Sequence, residues 1–412
     1  MIFRVLLLIA FLWPLNVTSQ EAEPLEFEIA NSDNMTLQDV VKATLLNSPN
    51  NVVAYAKENN AAALSGRASS VFSDTPEISL NHQNDRILSN QGLREWESSL
   101  NMPLWMPGQK AASRQKARTS SLEADAYKKL TILEATGQVR EMLWEIKLAE
   151  TALNQSRNNL EVALALDKNI TRRISAGNLP KRDALLSQKG IMTRRMELIA
   201  AEANYIHPAR EYEIVTGLNE MPIHIDEVVS DEVGGENVPQ IELAQAKVAF
   251  MEAEYNESKS SWRSSPKLSV TVKHETASFL DRNINSLGVG LTMPLGAGAH
   301  MTSKRAAAAV ELAEAVKLSE LLKREHRLNL HEAEHELEIC EVQLPLSKAH
   351  FEMAAENLRL SQKAFDLGES DLFDLLKIQE QYFLSAGDNN IKIIECKRAI
   401  ARHNQIKGVL LP

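Results

Sequence analysis

Across 412 residues the chain has few aromatics (5%), few glycines (16) and few prolines (14), while Ala, Leu, Glu and Lys dominate. That balance argues against a compact, turn-rich globule and for long helices. Positive charge is also short. The formal net charge is -10 and no basic patch is interleaved with aromatics, which excludes a nucleic-acid partner. Beyond the first residues no apolar run reaches the length of a spanning helix, so any membrane segment must be built from strands. No cysteine lies near the N-terminal leader, so an N-terminal lipid anchor is not expected. The leader itself has Arg4, the apolar run Val5 to Trp13, Pro14 and small residues up to Ser19. It fits a secretory signal peptide over 1–19.

What the chain has in quantity is repetition. Pro103 to Gly177 spans 74 positions, and Pro294 to Gly368 spans 74 again. Pro76 and Pro266 are 190 apart, and Pro103/Pro294, Gly177/Gly368 and Gly217/Gly408 are each 191 apart. Four breakers held within one residue of a common register indicate a tandem duplication. The expected division is a first repeat over 20–217, an acidic linker over 218–239 containing Pro222, Gly234, Gly235 and Pro239, and a second repeat over 240–412.

Each repeat reads in the same order. A lead helix starts at Thr36-Leu-Gln-Asp39, a capping-box pattern, and is interrupted at Ser48-Pro49. Its expected apolar positions are Val40, Ala43, Leu46, Val53 and Ala56. At Pro76 the period changes from helical to alternating, giving strands at about 77–86 and 94–104 joined through Asn90-Gln-Gly92. Ile78, Leu80, Trp96, Leu100, Met102 and Leu104 fall on one face, and Ser98 is the one polar residue among them. Pro103 marks the turn from strand to helix.

A run almost free of breakers then predicts one helix over about 109–175, roughly 100 Å long, with Leu122, Ala126, Leu130 and Leu133 as a seam. Gly177 ends it, and a return helix runs over about 180–215. The second copy repeats this after a lead helix ending near Trp262, with strands at about 267–276 and 285–295. Leu268, Val270, Val272, Leu287, Val289, Leu291, Met293 and Leu295 alternate there with polar or small residues. Pro294 turns the chain, a long helix with an expected kink at Pro345 covers about 302–366, and a return helix covers about 370–407. The fold class is mainly α with a small β part, internally duplicated. Four strands cannot close around a lumen, so other subunits must complete the sheet.

Duplicated halves, strands entered through Ser-Ser-Pro-Lys-Leu-Ser-Val (264–270) and left through Met-Pro-Leu, and the turn Leu-Gly-Glu-Ser-Asp-Leu-Phe-Asp-Leu-Leu (367–376) resemble the TolC-like outer-membrane efflux proteins. The likeness covers nearly the whole mature chain. It implies a homotrimer with a twelve-stranded outer-membrane β-barrel and a periplasmic α-barrel. It further implies a periplasmic adaptor, an inner-membrane RND-type pump, outer-membrane lipid around the strands, and a Gram-negative host.

Met-Pro-Leu-Trp-Met-Pro-Gly-Gln (102–109) is most similar to the channels of heavy-metal cation pumps, with drug efflux or type I protein secretion as alternatives. The resemblance also places an acidic aperture at Asp374 and at its counterpart Asp183, with Lys377 where some members carry a second acid. Adaptor docking falls to the hairpin tips, Gly177, Asn178, Leu179, Gly368, Glu369 and Ser370. On this reading the apolar strand face meets lipid and Trp96 and Trp105 form an interfacial belt, or else pack on helices.

Two further features stand apart from the resemblance. His331-Glu-Ala-Glu-His335 matches the zinc-protease pattern and puts both imidazoles on one helix face, but with no third ligand in sight it is a weak metal candidate on a charged helix. Cys340 and Cys396 each lie 28 residues from Gly368, which sets them at one height on an antiparallel hairpin. They form either a disulfide or two buried thiols. No catalytic residue or cofactor is expected. A secreted metalloenzyme would have no use for the duplication, and a coiled-coil scaffold none for four amphipathic strands.

Overall fold

The computed structural model describes residues 29–230, 238–260, 265–278, 280, 282–294 and 298–411. The signal peptide at 1–19, Gly234, Gly235, Trp262, Ser264 and Leu295 lie outside the described residues. The elements in chain order are β1 (Ala30–Ser32), α1 (Leu37–Asn47), α2 (Pro49–Ser69), β2 (Glu77–Asn84), β3 (Arg94–Pro103), α3 (Gln109–Ser175), α4 (Lys181–Thr216), β4 (Glu220–Pro222), α5 (Pro239–Ser260), β5 (Lys267–Thr276), β6 (Ile284–Thr292), α6 (Gly298–Leu367) and α7 (Leu372–Ile406).

Local chemistry accounts for most of these boundaries. Thr36 accepts from the Asp39 backbone N–H and Asp39 answers to the Thr36 backbone, so the capping box is complete. Ser48 then ends α1 and caps α2, whose first residue is Pro49. β2 stops at Asn84 because the Asp85 carboxylate accepts from the backbone N–H groups of Gln91 and Gly92 and rounds the chain into a loop. Gly108 takes φ 80° to start α3. No break interrupts α4 at Pro208 or α6 at Pro345, so Pro345 does not divide its helix.

The helices pack side by side in a layer. α3 is its spine, with α2 and α4 on one flank and α5 and α7 on the other, and α6 packs beyond α5 and α7. The two short helices on each flank follow one another along the long one. Asn47 at the end of α1 donates to the carbonyls of Val215 and Thr216 at the end of α4, and Gly408 abuts Val238 and Pro239 at the start of α5.

Because α3 is covered on both flanks, it buries two stripes, and the single expected seam is corrected. Leu122 is half exposed while its neighbour Glu123 is buried, receiving Lys57 at 2.7 Å. The expected apolar face of the lead helix is corrected too. In α2 Ala54, Ala61 and Ala68 pack inward while Val53 and Ala56 are exposed, because alanine lets α2 approach α3 closely, and in α1 Val40 is buried but Leu46 points outward.

The main core lies largely within the first copy, around Val40, Val139, Ile146, Ala209 and Tyr212, and Ala401 and Leu411 of the second copy join it. A second, smaller core of Ile170, Leu358, Phe365, Leu372 and Leu375 holds the hairpin tips together. β1 and β4 make a short parallel ribbon beside the main core. The other four strands make one antiparallel sheet in the order β2-β3-β5-β6.

Candidate functional site

The sheet sorts its side chains by chemistry. Register places Ile78, Leu100, Val270 and Val289 in one row, and Met102, Leu268 and Leu291 in another. A third row holds Leu80, Ser98, Val272 and Leu287, so Ser98 sits among apolar neighbours on the apolar face. That face is bare: Ile78 is 79% exposed, Val289 72% and Leu287 71%. An apolar surface of this extent is not left to water.

The opposite face carries Glu77, Ser79, Asn81, Glu95, Glu97, Ser99, Lys267, Thr271 and Lys273. Its polar groups bond to one another. Ser79 and Ser99 share a hydrogen bond of 2.6 Å, Lys273 pairs with Glu95 at 3.1 Å and with Glu275, and Lys267 reaches Glu77 at 3.3 Å. At the base of the sheet Leu104 donates to the Pro266 carbonyl, and the half-buried Trp105 donates through Nε1 to the Ser70 carbonyl at 3.1 Å. Trp105 is therefore tied to the end of α2. Trp96 is about half exposed and stacks on His82.

The far end of the helical layer consists of two matching turns. Gly177 and Gly368 adopt φ 78° and 81°. Asn178 donates to the Arg173 carbonyl and Glu369 to the Ala364 carbonyl, so each helix closes with the same left-handed cap. Arg173 crosses between the tips, donating to the Phe365 carbonyl at 3.1 Å and lying over its ring. Asp371 caps α7 by accepting from the Asp374 backbone N–H at 2.8 Å. The side chains of Asp374 and Lys377 are exposed. Asp183 differs from its counterpart, being buried in the first turn of α4 with the Arg182 guanidinium 3.6 Å away.

Among the described residues two outer borders have no partner. β2 and β6 each keep one unpaired edge. Below β6, α6 exposes Ile339, Val342, Leu346, Met353, Leu360 and Leu367 at heptad spacing, and on the opposite border α4 exposes Leu185, Met192, Met196 and Ile199. These are coiled-coil faces without a mate in the same chain.

Cys340 and Cys396 are joined as a disulfide with Cα atoms 5.5 Å apart, closer than the ordinary spacing of facing helices. His331 and His335 are both exposed, and His335 faces Glu338 at 3.6 Å. Among the described residues no group of three His, Cys, Asp or Glu side chains is placed to hold a metal.

Sequence reasoning missed one buried network. Arg140 clasps Glu227 with two hydrogen bonds of 2.8 and 2.7 Å and donates to Gln405 and to the Val409 carbonyl. Asn404 joins it by donating to Glu227 and to the Val228 carbonyl. The linker is thereby pinned between α3 of the first copy and the end of α7 of the second. Gly137 makes room for this: a Cβ there would lie 2.6 Å from the Gln405 amide. The only signal in the sequence was Arg140, with Glu141, set among the apolar positions Val139, Met142 and Leu143.

No protein-family model matches the sequence, and no curated protein is significantly similar to it. Solved structures do match. The Campylobacter jejuni outer membrane channel CmeC has TM-score 0.73 at 14% identity, over 98% of this chain and 94% of that one. The Vibrio cholerae outer membrane protein VceC has TM-score 0.76 at 12% identity, over 91% and 97%. The open-state MtrE outer membrane channel of Neisseria gonorrhoeae has TM-score 0.68 at 13% identity, over 90% and 89%.

The chain has the TolC-like channel fold. In this fold β2 and β6 are the two outer strands of the sheet, β2 following α2 in the chain and β6 leading into α6. No helix of the described residues is long and apolar enough to cross a membrane.

Proposed function

We propose that the chain is one subunit of a homotrimeric outer-membrane exit duct, passive, non-enzymatic, and serving a tripartite efflux system with a periplasmic adaptor and an inner-membrane RND-type pump. The carrying observation is the four-stranded sheet with one apolar face, one polar face and two open edges. Three copies joined β6 to β2 satisfy every edge and turn the apolar rows to lipid around a polar lumen. The same rotation brings α6 of one copy against α4 of the next, antiparallel, apolar stripe on apolar stripe.

In this reading the tips at Gly177, Asn178, Leu179, Gly368, Glu369 and Ser370 meet the adaptor. Asp374, the exposed member of the acidic pair, supplies a ring of three carboxylates at the periplasmic mouth, with Lys377 one turn on. Heavy-metal cations are the cargo class proposed first, from the likeness over 102–109. Drugs and secreted proteins are the alternatives, and survival of a deletion strain across metals, drugs and bile salts separates them.

Fractionation tests the duct itself. A heat-sensitive trimer extracted from outer membranes and conducting ions in a planar bilayer is the expected result, and a water-soluble monomer overturns it.

A further inference from the structure

Moving from β3 toward the loops, the apolar face changes character in a fixed order. Apolar rows pass through Met102, Leu100 and Ser98. Next comes a row of amphipathic rings, His82, Trp96 and His274, ending in Asn285. His82 stacks on Trp96 with ring centroids 4.1 Å apart, and His274 shares a 2.6 Å hydrogen bond with Asn285. One step further on the same face stands Arg94, paired across the strands with Asn84 and Thr276.

Arg86 and Arg282 lie in the two loops just above. Among the described residues none of these three arginines has a carboxylate partner. The nearby Asp85 is already used, since Ser89, Gln91 and Gly92 all donate to it. Beside the arginines, Ile87, Leu88 and Leu280 stand almost fully exposed. From the Met102 row to the Arg94 row is roughly 27 Å along a strand, or roughly 20 Å of height at a barrel tilt of ~40°.

Hydrocarbon, amphipathic ring, then unpaired cation is the depth profile of a lipid leaflet read from its interior to its phosphates. We infer that Arg86, Arg94 and Arg282 form a belt that binds the phosphate of anionic lipid headgroups at the loop end of the sheet, with the His82–Trp96–His274 row marking the boundary beneath it. Charge complementarity carries the assignment. Among the described residues the cations have no carboxylate partner, and apolar side chains beside such arginines make the composition of a surface that settles among headgroups. The inference rests on the duct reading, because it needs the apolar rows to stand in lipid.

Trp96 provides the probe. The full-length protein is reconstituted into vesicles of phosphatidylglycerol and phosphatidylcholine in which one lipid or the other carries brominated chains. The Trp96 signal is taken as the difference from Trp96→Phe. Brominated phosphatidylglycerol should quench it more than brominated phosphatidylcholine at equal mole fraction. Each of Arg86→Gln, Arg94→Gln and Arg282→Gln should lower that preference by up to about fivefold, and the triple variant should abolish it while quenching by phosphatidylcholine persists.

Equal quenching in the wild type overturns the inference, as does a preference that survives in the triple variant. Inorganic phosphate that erodes the preference where chloride of equal ionic strength does not would identify a site for the free ion instead, and also overturns it. Absence of quenching by either lipid strikes the duct reading itself, so the two failures are distinguishable.

Discussion

Arg140 illustrates how much a single residue carries at the junction of the two copies. Its side chain and that of Glu227 are only 5% and 8% exposed, so removing either leaves the other as an uncompensated buried charge. Arg140→Ala should cost about 3–5 kcal/mol, whereas replacing both members with apolar residues of similar size should be close to neutral. Chemical unfolding of the two variants in detergent measures the difference.

Two histidines near the same region set a pH dependence. Burial holds His326 below its usual pKa, and burial, reinforced by Lys407, does the same to His403. Below pH about 6.5 the unfolded chain then binds protons that the folded chain refuses, so stability rises with pH through this window. The contribution is full above about 6.5 and is lost as the pH falls through the folded values. Melting temperatures between pH 5 and 7.5 should therefore fall on the acid side, and His326→Gln with His403→Gln should flatten the slope.

At the scale of elements, what could be read from the sequence depended on contrast. Alternation over 267–273 is sharp because Leu268, Val270 and Val272 are interleaved with Lys, Ser and Thr. The long helices were visible from the absence of breakers, and the hairpin turns from Gly177 and Gly368, whose left-handed backbone only glycine adopts freely. The face of α2 was not legible, since alanine carries little hydropathic contrast and here marks close approach rather than surface. β1 and β4, three residues each, show no alternation at all. The burial of Asp183 was hidden because periodicity does not say which side of α4 meets α3.

The disulfide belongs to this scale as well, linking α6 to α7 across a sequence separation of 56. A loop of that length confines the unfolded chain by about 4 kcal/mol in the chain-entropy account. Cys340→Ser with Cys396→Ser should lower the melting temperature. Reductant should do the same to the wild type and leave the double variant unmoved.

For the whole molecule the sheet face and the two borders act together. Val289 stands in a central apolar row of β6 and is largely exposed. Val289→Arg should cost about 2–4 kcal/mol in lipid and almost nothing in water. Loss of the heat-sensitive trimer from membrane extracts, with the helical circular dichroism of the chain preserved, is the expected outcome.

The unmated borders also bear on genetics. Each copy contributes to two seams, so a faulty border spoils both of the junctions it joins and the sound neighbours are trapped in a ring that cannot close. Lesions at β2, β6 or the outer stripe of α6 should thus behave as dominant in a cell that also makes the normal chain, whereas a lesion that merely unfolds its own copy should be recessive.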